Sequence, residues 1–362
     1  MIFDDTRNVA YTRALKRVVT PDSVVMDLGA GLGIHGLVAA KLGARRVYLV
    51  EPANIGVLSE RIARANGLEG RVTCVSGRVQ ELELPEKVDV IVSVFTGNFL
   101  LTEDLLPSLF LARDRFLAPG GTLLPDRARM EVVPVSAPGY HAKHIAGWAE
   151  RSQGIDFTPV RELAGNDLYY DDSDAREVKF LSRPGKLLEL DFNTAKQAGC
   201  RSRVRVRLKA GGTCHGWLGW FRMRLSGRWL STSPDAEPTH WRQVFLPLDP
   251  PMELKEGAMM TFELVRPEFG DWTWTVETGG ARQRHSTFLS EPLTPAVVAS
   301  KADGFRGRLS ERGRAAKMVL ASLNGKRTSS EIAERLSGEC PGLFSDQGEA
   351  RHFVQSLIDG FV

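Results

Sequence analysis

Residues 24–51, VVMDLGAGLGIHGLVAAKLGARRVYLVE, decide how the rest of the chain is read. An apolar run from Val24 to Met26 ends in Asp27, and a turn carrying Gly29, Gly31 and Gly33 follows. A helix-forming segment then leads to a second apolar run, Val47 to Val50, closed by Glu51. That order predicts a β-turn-α-β unit. Its glycines let the backbone approach a ligand, and its terminal acid suits the two hydroxyls of a ribose. Gly36 takes the last place of the glycine pattern, so strand, turn, helix and acid are all present. Spacing alone implies a nucleoside. Asp27, two residues before Gly29, would repel a pyrophosphate and suits the cationic methionine end of S-adenosylmethionine.

At 362 residues the chain has room for two or three domains. A net charge of +3 is too small to argue for nucleic acid. Cys74, Cys200, Cys214 and Cys340 are scattered, which indicates neither a disulfide framework nor a zinc site, and reduced thiols in the cytoplasm are expected. His141 and His144 fall on one helical face without acidic or cysteine partners at ligand spacing, so no metal is expected. No apolar run is long enough to span a bilayer and Met1 opens no signal peptide.

The first third alternates strand candidates (24–27, 46–51, 71–75, 88–93) with helical segments (34–42, 55–66, 103–116). A turn and strand at 117–135 complete the pattern. It predicts an α/β, Rossmann-like domain over 1–135 with ligand at the carboxyl ends of the first strands. From 136 to 295 the composition becomes β-rich, as in RVRVRLKA, WLGWFRMRL and AMMTFELV, and predicts an antiparallel, β-barrel-like domain. An excursion at about 138–180 suits neither sheet. Residues 303–362 read as a separate small helical unit.

Four separated matches resemble the protein arginine methyltransferases over about residues 4–292. They are the cofactor unit DLGAGLG…VEP, LARDRFLAPGG followed by LLPDRA (Leu111–Ala128), the Thr239-His240-Trp241 loop within Leu230–Leu248, and DDTRNVAY near the amino terminus. The resemblance implies that Arg7 meets the methionine carboxylate of S-adenosylmethionine through charge-assisted hydrogen bonds. It implies that Asp27, Gly29 and Gly31 hold the methionine amine, that Glu51 binds the ribose, and that the Val79 backbone and Gln80 face the adenine. The family usually has a carboxylate at the Gln80 position. Asp4 and His240 would pair across the two domains. The chain starts almost at the family's DE-x-R segment, so most of the helical lid that precedes it there is expected to be missing unless another part of the chain replaces it. The excursion lies where the family carries a dimerisation arm. WAERSQGIDF (148–157) resembles its start, with Trp148 and Phe157 as apolar anchors, and implies a homodimer.

The substrate loop departs from the family. Where two glutamates clamp a guanidinium, this chain reads SVFTGNFLLTEDLL, with Glu103 in the second place and Val94 in the first. Phe95 and Thr96 replace the usual Trp and Met. Planar guanidinium donors prefer paired acceptors, and a buried unpaired donor costs roughly 1–3 kcal/mol. A neutral imidazole asks less, because Glu103 can accept the hydrogen on one ring nitrogen while the other attacks. Family resemblance points to arginine, with Asp104 or a residue elsewhere as second acceptor; residue chemistry points to histidine. Either way, Glu103, His240 and Asp4 are the expected catalytic groups and Val94, Phe95, Glu103 and Trp241 the substrate contacts, in a side-chain N-methyltransferase acting on a peptide or protein. A free amino acid as acceptor and a non-catalytic cofactor-binding scaffold are the alternatives.

The last segment has no counterpart in ordinary arginine methyltransferases. Met318, Leu320 and Leu323 are expected on one helix. An Asn324-Gly325 turn follows, then a helix capped by Thr328 with Glu331 as its capping box. Phe353, Val354, Leu357 and Ile358 are expected inside a third helix. L-x-G-x-R-T-x-x-E-I resembles PqqD-like winged-helix units, which implies capture of a leader peptide of a ribosomally made natural product. Arg306, Arg308, Arg312, Arg314 and Lys317 precede the unit, and Arg201, Arg203, Arg205 and Arg207 alternate along one strand. Both runs read most simply as solvated faces, so a nucleic-acid role is not expected.

Overall fold

A computed structural model describes residues 1–171 and 178–361. The chain divides into two units, Met1–Pro292 and Leu293–Val362.

The first unit opens with helix α1 (Asp5–Val18) and a five-stranded parallel sheet: β1 (Val24–Leu28), β2 (Arg46–Glu51), β3 (Val72–Ser76), β4 (Val88–Ser93) and β5 (Leu117–Leu124), in the order β3-β2-β1-β4-β5. Helices α2 (Ile34–Lys41), α3 (Gly56–Ala65) and α4 (Leu106–Phe116) alternate with the strands. Every residue of β1 is buried, because helices cover both faces of a parallel sheet, and this makes the Val24–Leu28 run continuously apolar apart from Asp27. The strand order reverses between β1 and β4. Their connections therefore diverge beyond the terminal pair Leu28↔Ser93, where such sheets open a crevice, next to Asp27.

The segment 117–135, expected to finish the first domain, splits. β5 closes the parallel sheet, but β6 (Arg127–Ser136) runs antiparallel to Gly212–Leu225 from Arg127↔Arg224 to Val135↔Gly216. The boundary at 135 is therefore corrected to the two-residue link Pro125-Asp126, where Asp126 accepts a paired bond from Arg224 at 2.9 Å on each oxygen. Cross-strand pairing, not chain proximity, sets sheet membership.

Seven strands form the larger antiparallel sheet, with Lys179–Phe180, β6, Gly212–Leu225, Gln243–Leu254 and Tyr169–Asp171 as its path; Gly185–Asp191 and Arg228–Ser231 pair at its sides. Cys200–Arg207, Met259–Arg266, Thr273–Thr278 and Ala281–Ser286 form a second sheet. The expected barrel-like closure is thus two separate ladders among the described residues. Trp217 and Phe262, one from each, meet at 4.7 Å between centroids. Arg201, Arg203, Arg205 and Arg207 are exposed while Val204 and Val206 are buried, the alternation of a half-buried strand.

The excursion contains helix Pro138–His144, a short hairpin (Arg151–Ser152 with Ile155–Asp156) and helix Thr158–Ala164. Arg161 ties it to the larger sheet by bonding both oxygens of Asp249, at 2.9 and 2.6 Å. Trp148 and Phe157 remain 39% and 37% exposed, as free apolar anchors would be. Residues 172–177 of its acidic stretch lie outside the described residues.

The second unit is helical: Pro295–Ser300, Glu311–Ser322, Ser329–Glu339 and Gln347–Phe361. Thr328 caps the third of these, its hydroxyl accepting from the Glu331 amide while Glu331 accepts from the Thr328 amide at 2.7 Å. The core is Ala315, Val319, Ile332, Ala333, Leu336, Ala350, Phe353 and Val354, while Leu320 lies on the outer face. Met318 and Leu323 pack only at its margin. No strand occurs in this unit among the described residues, so the winged-helix expectation keeps its helices without a wing. Among the described residues no helix is long and apolar enough to cross a membrane, and no His, Cys, Asp and Glu cluster fits a metal.

Candidate active site

The glycine turn is fastened to the end of β2. Gly29 and Ala30 donate to the Val50 carbonyl at 2.9 and 3.0 Å, while Glu51 accepts from Gly31 at 2.9 Å and Ala53 at 3.0 Å. A carboxylate has about four acceptor positions, so Glu51 keeps capacity for ribose hydroxyls. Asp27 is 2% exposed and accepts from the Gly36 amide at 2.7 Å, at the start of α2. Burial pushes its carboxyl up to about 7, against the pull of the Gly36 amide and the nearby Arg7. Gly29 has φ 69°, and a Cβ there would come within 2.2 Å of the Phe95 ring. Gly31 has φ 54° and faces open space, which leaves its backbone accessible to a ligand.

Helix α1 brings the amino terminus to this turn. Asp4 caps it, accepting from the Arg7 amide at 2.9 Å. The Arg7 side chain is 1% exposed and bonds only neutral acceptors, the Met1 carbonyl at 2.7 Å and the Asn8 side chain at 2.8 Å. Burial holds its pKa below the usual guanidinium value. No carboxylate among the described residues lies within ion-pair distance, so this buried cation suits an anionic ligand group. Buried Arg7 and Asp27 and the carboxylate of Glu51 are thus gathered around one glycine turn. Tyr11 links α1 to β4 by donating to the Ser93 carbonyl at 2.9 Å, and it stacks on His35 at 4.4 Å. Burial first, then Arg7, lowers His35 to about 3, so it is a neutral ring.

On the adenine side Val79 is buried and Gln80 exposed. Arg115 was missed as a site residue although it sits within the LARDRF motif. Its guanidinium donates to the carbonyls of Val79 (2.9 Å), Gln80 (2.8 Å) and Leu82 (2.6 Å), fixing the whole bend.

The acceptor loop, residues 94–105, holds Phe99, Leu100 and Asp104 in the left-handed region (φ 51°, 63° and 52°). Each such residue costs roughly 1–3 kcal/mol, so surrounding contacts must impose the shape. Those contacts come from the antiparallel sheets. Trp241 donates through Nε1 to the Thr96 carbonyl at 2.6 Å, and the Arg242 amide donates to Asn98 at 2.8 Å. Phe99 is fully buried against Trp272 and Gly219, where a Cβ would lie 2.5 Å from its ring. Phe95 covers Gly29, so the acceptor loop and the cofactor turn touch.

Asp4 and His240 come together across the two layers. Asp4 Oδ2 lies 2.6 Å from His240 Nδ1 and accepts from the His240 amide at 2.9 Å. Burial would raise the Asp4 carboxyl, but the His240 and Arg7 amides outweigh it and hold it below the usual range. Burial lowers His240 despite Asp4, so a neutral ring donating to a carboxylate describes the pair.

Glu103 is exposed, with no hydrogen-bond partner among the described residues, and lies over Gly97, where a Cβ would sit 2.9 Å from its Cγ. Val94 is half-buried and brings no acceptor. Asp104, expected as a possible second acceptor, is corrected: Arg266 bonds both its oxygens and the Phe269 amide adds a bond at 2.9 Å. Arg266 was not legible as a site residue because nothing local in MMTFELVR points to position 104.

The chain matches the family model of the arginine methyltransferase oligomerization subdomain over residues 126–271 and that of a methyltransferase domain over 25–121. It is 32% identical over 266 residues to protein arginine N-methyltransferase 1 of Schizosaccharomyces pombe, a match covering 71% of this chain and 77% of that one. It is 34% identical over 279 residues to a probable histone-arginine methyltransferase CARM1 of Oryza sativa, covering 73% of this chain and 53% of that longer relative. Among solved structures, the Trypanosoma brucei PRMT1 enzyme-prozyme heterotetrameric complex with AdoHcy superposes with a TM-score of 0.72 at 28% identity, covering 79% of this chain and 96% of that one. Protein arginine methyltransferase 10 of Arabidopsis thaliana gives 0.68 at 25% identity, covering 79% and 96%.

Proposed function

Because the chain belongs to the protein arginine methyltransferase family and uses S-adenosylmethionine, we propose that it methylates a side-chain nitrogen, that of an arginine in a peptide or protein. When bound, the cofactor supplies an electrophilic methyl group on a cationic sulfur. Arg7 would hold its carboxylate, Asp27 its ammonium, Glu51 its ribose, and the Val79–Gln80 bend its adenine. Phe95 would separate that pocket from bulk water at Gly29. Glu103 would orient the acceptor nitrogen and take up its proton, and the Asp4–His240 pair would hold α1 closed over the site. Orientation and desolvation carry most of such a displacement, because the sulfonium needs no strong base to react.

The observation that carries this reading is Glu103. It is a carboxylate without a hydrogen-bond partner among the described residues, on a loop whose other end, Phe95, lies on the cofactor turn. Incubation with labelled cofactor and peptides bearing Arg, His or Lys, followed by fragment mass spectrometry, tests it; label on arginine is expected. A second reading, histidine, is favoured because this loop offers Glu103 as its one unpaired carboxylate among the described residues: Val94 replaces one acceptor and Arg266 occupies Asp104. Label on the imidazole would establish that reading instead.

The exposed Trp148 and Phe157, within a stretch matching the oligomerization subdomain, support a homodimer formed through the excursion. The Leu293–Val362 unit is read as the part that recruits a peptide. The support is its L-x-G-x-R-T-x-x-E-I pattern and the capped helix that pattern forms.

A further inference from the structure

Arg266 ends the strand Met259–Arg266 with its side chain 3% exposed, far from the chain segment it serves. Its Nη1 donates to Asp104 Oδ1 at 2.5 Å and its Nη2 to Asp104 Oδ2, a parallel pair of bonds spanning 162 residues of sequence. Its Nε is buried without a partner. The guanidinium also lies 5.4 Å from the Trp272 ring centroid, and Trp272 stacks on Phe99 at 5.5 Å. One cation therefore reaches both the start of the loop's strained stretch, through Trp272 and Phe99, and its end, through Asp104.

Asp104 directly follows Glu103 and adopts φ 52°, a conformation an aspartate rarely keeps unaided. Burial would raise its carboxyl, but Arg266 and the Phe269 amide together hold it below the usual range, so it stays ionised with its charge matched. The backbone direction that sends Glu103 over Gly97 is thus fixed one residue downstream by a buried ion pair.

We propose that Arg266 is a positioning residue for methyl transfer. Through Asp104 it fixes the Glu103 carboxylate against Gly97 and withholds the neighbouring carboxylate, so the acceptor meets one negative charge in one place. This rests on the reading of Glu103 as the acceptor's partner. Planar guanidinium geometry matters here, because two parallel bonds restrain rotation of Asp104 where a single bond would not.

The test measures kcat, the acceptor KM and the cofactor Kd for Arg266→Met, Asp104→Asn, their combination and Arg266→Lys, with Glu103→Gln alongside. Arg266→Met and Asp104→Asn are each expected to lower kcat on the order of 30- to 100-fold with cofactor Kd within about twofold of wild type. The combination is expected to fall no further than the worse single variant, since both act through one contact. Arg266→Lys is expected to recover part of the rate. Should Arg266→Met fail to fold, the combined variant, which leaves no unpartnered buried charge, carries the comparison. Additive losses, a parallel loss of cofactor binding, or wild-type kcat in Arg266→Met while Glu103→Gln is inactive would overturn the proposal. Wild-type kcat in Glu103→Gln, with Arg266→Met impaired, would instead overturn the reading of Glu103.

Discussion

The cofactor turn and the acceptor loop lie against each other at Gly29 and Phe95, yet they are built in opposite ways. The turn is stabilised from nearby in the chain: Gly29 and Ala30 bond Val50, Gly31 bonds Glu51 and accepts from Ser59, and Gly36 bonds Asp27. The acceptor loop depends on residues far along the chain: Trp241, Arg242, Arg266 and Trp272 impose backbone angles that Phe99, Leu100 and Asp104 would not adopt alone. A pocket built locally tolerates change elsewhere, whereas one imposed by distant partners can be retuned by any of them.

The sharpest way to break the acceptor half alone is Glu103→Gln. Turnover is expected to fall about 100-fold or more, with cofactor affinity by calorimetry nearly unchanged. Loss of cofactor binding as well would show that the halves are not separable. Gly29→Val should do the converse. Its side chain collides with Phe95 in a left-handed conformation, and cofactor Kd is expected to weaken on the order of 30-fold. Unchanged affinity would mean that the turn does not hold the cofactor.

A smaller effect comes from Asp27. Below pH 7 its carboxyl is protonated in the free protein, and a cationic ligand favours the ionised form, so binding there must release a proton. Cofactor Kd is therefore expected to tighten about tenfold from pH 6 to pH 8 and to level off above, measured by calorimetry in buffers of different ionisation heat. The same raised pKa stabilises the ligand-free fold below the usual carboxylate range and loses that contribution as pH rises through 7. A flat profile would remove Asp27 from cofactor binding.

Asp4→Ala probes the place where the halves are tied. Loss of the helix cap and of the His240 bond is expected to cost about 1–2 kcal/mol in denaturant unfolding. Asp4 is depressed and so contributes above the usual carboxylate range, losing this as pH falls. His240 is lowered by burial against the pull of Asp4, so that effect persists in the variant and does not add to the difference. The wild-type advantage over the variant should therefore shrink in acid. The smallest effect is expected from Thr328→Ala: about 1 kcal/mol, confined to the Leu293–Val362 unit, with turnover on a short acceptor peptide unchanged.

The same contrast explains what the sequence disclosed. Asp27, the glycines and Glu51 could be read because their spacing is their geometry. Asp4 and His240, 236 residues apart, could be paired only through resemblance to a family. Asp104 was legible as a carboxylate but not as one already bonded, since its partner sits on another sheet. β6 was assigned to the wrong layer for a related reason: an apolar strand after a turn looks the same whichever sheet it joins.

The Asp4–His240 bond also has a consequence in time. At about 5–20 residues per second, the ribosome delivers position 240 roughly 12 to 50 seconds after Asp4 has been made. Throughout that interval the first helix has its cap but not its latch, and Arg7 has no settled cover. The tie between the first helix and the Thr239–Trp241 loop can therefore form only after that distant segment has been synthesised.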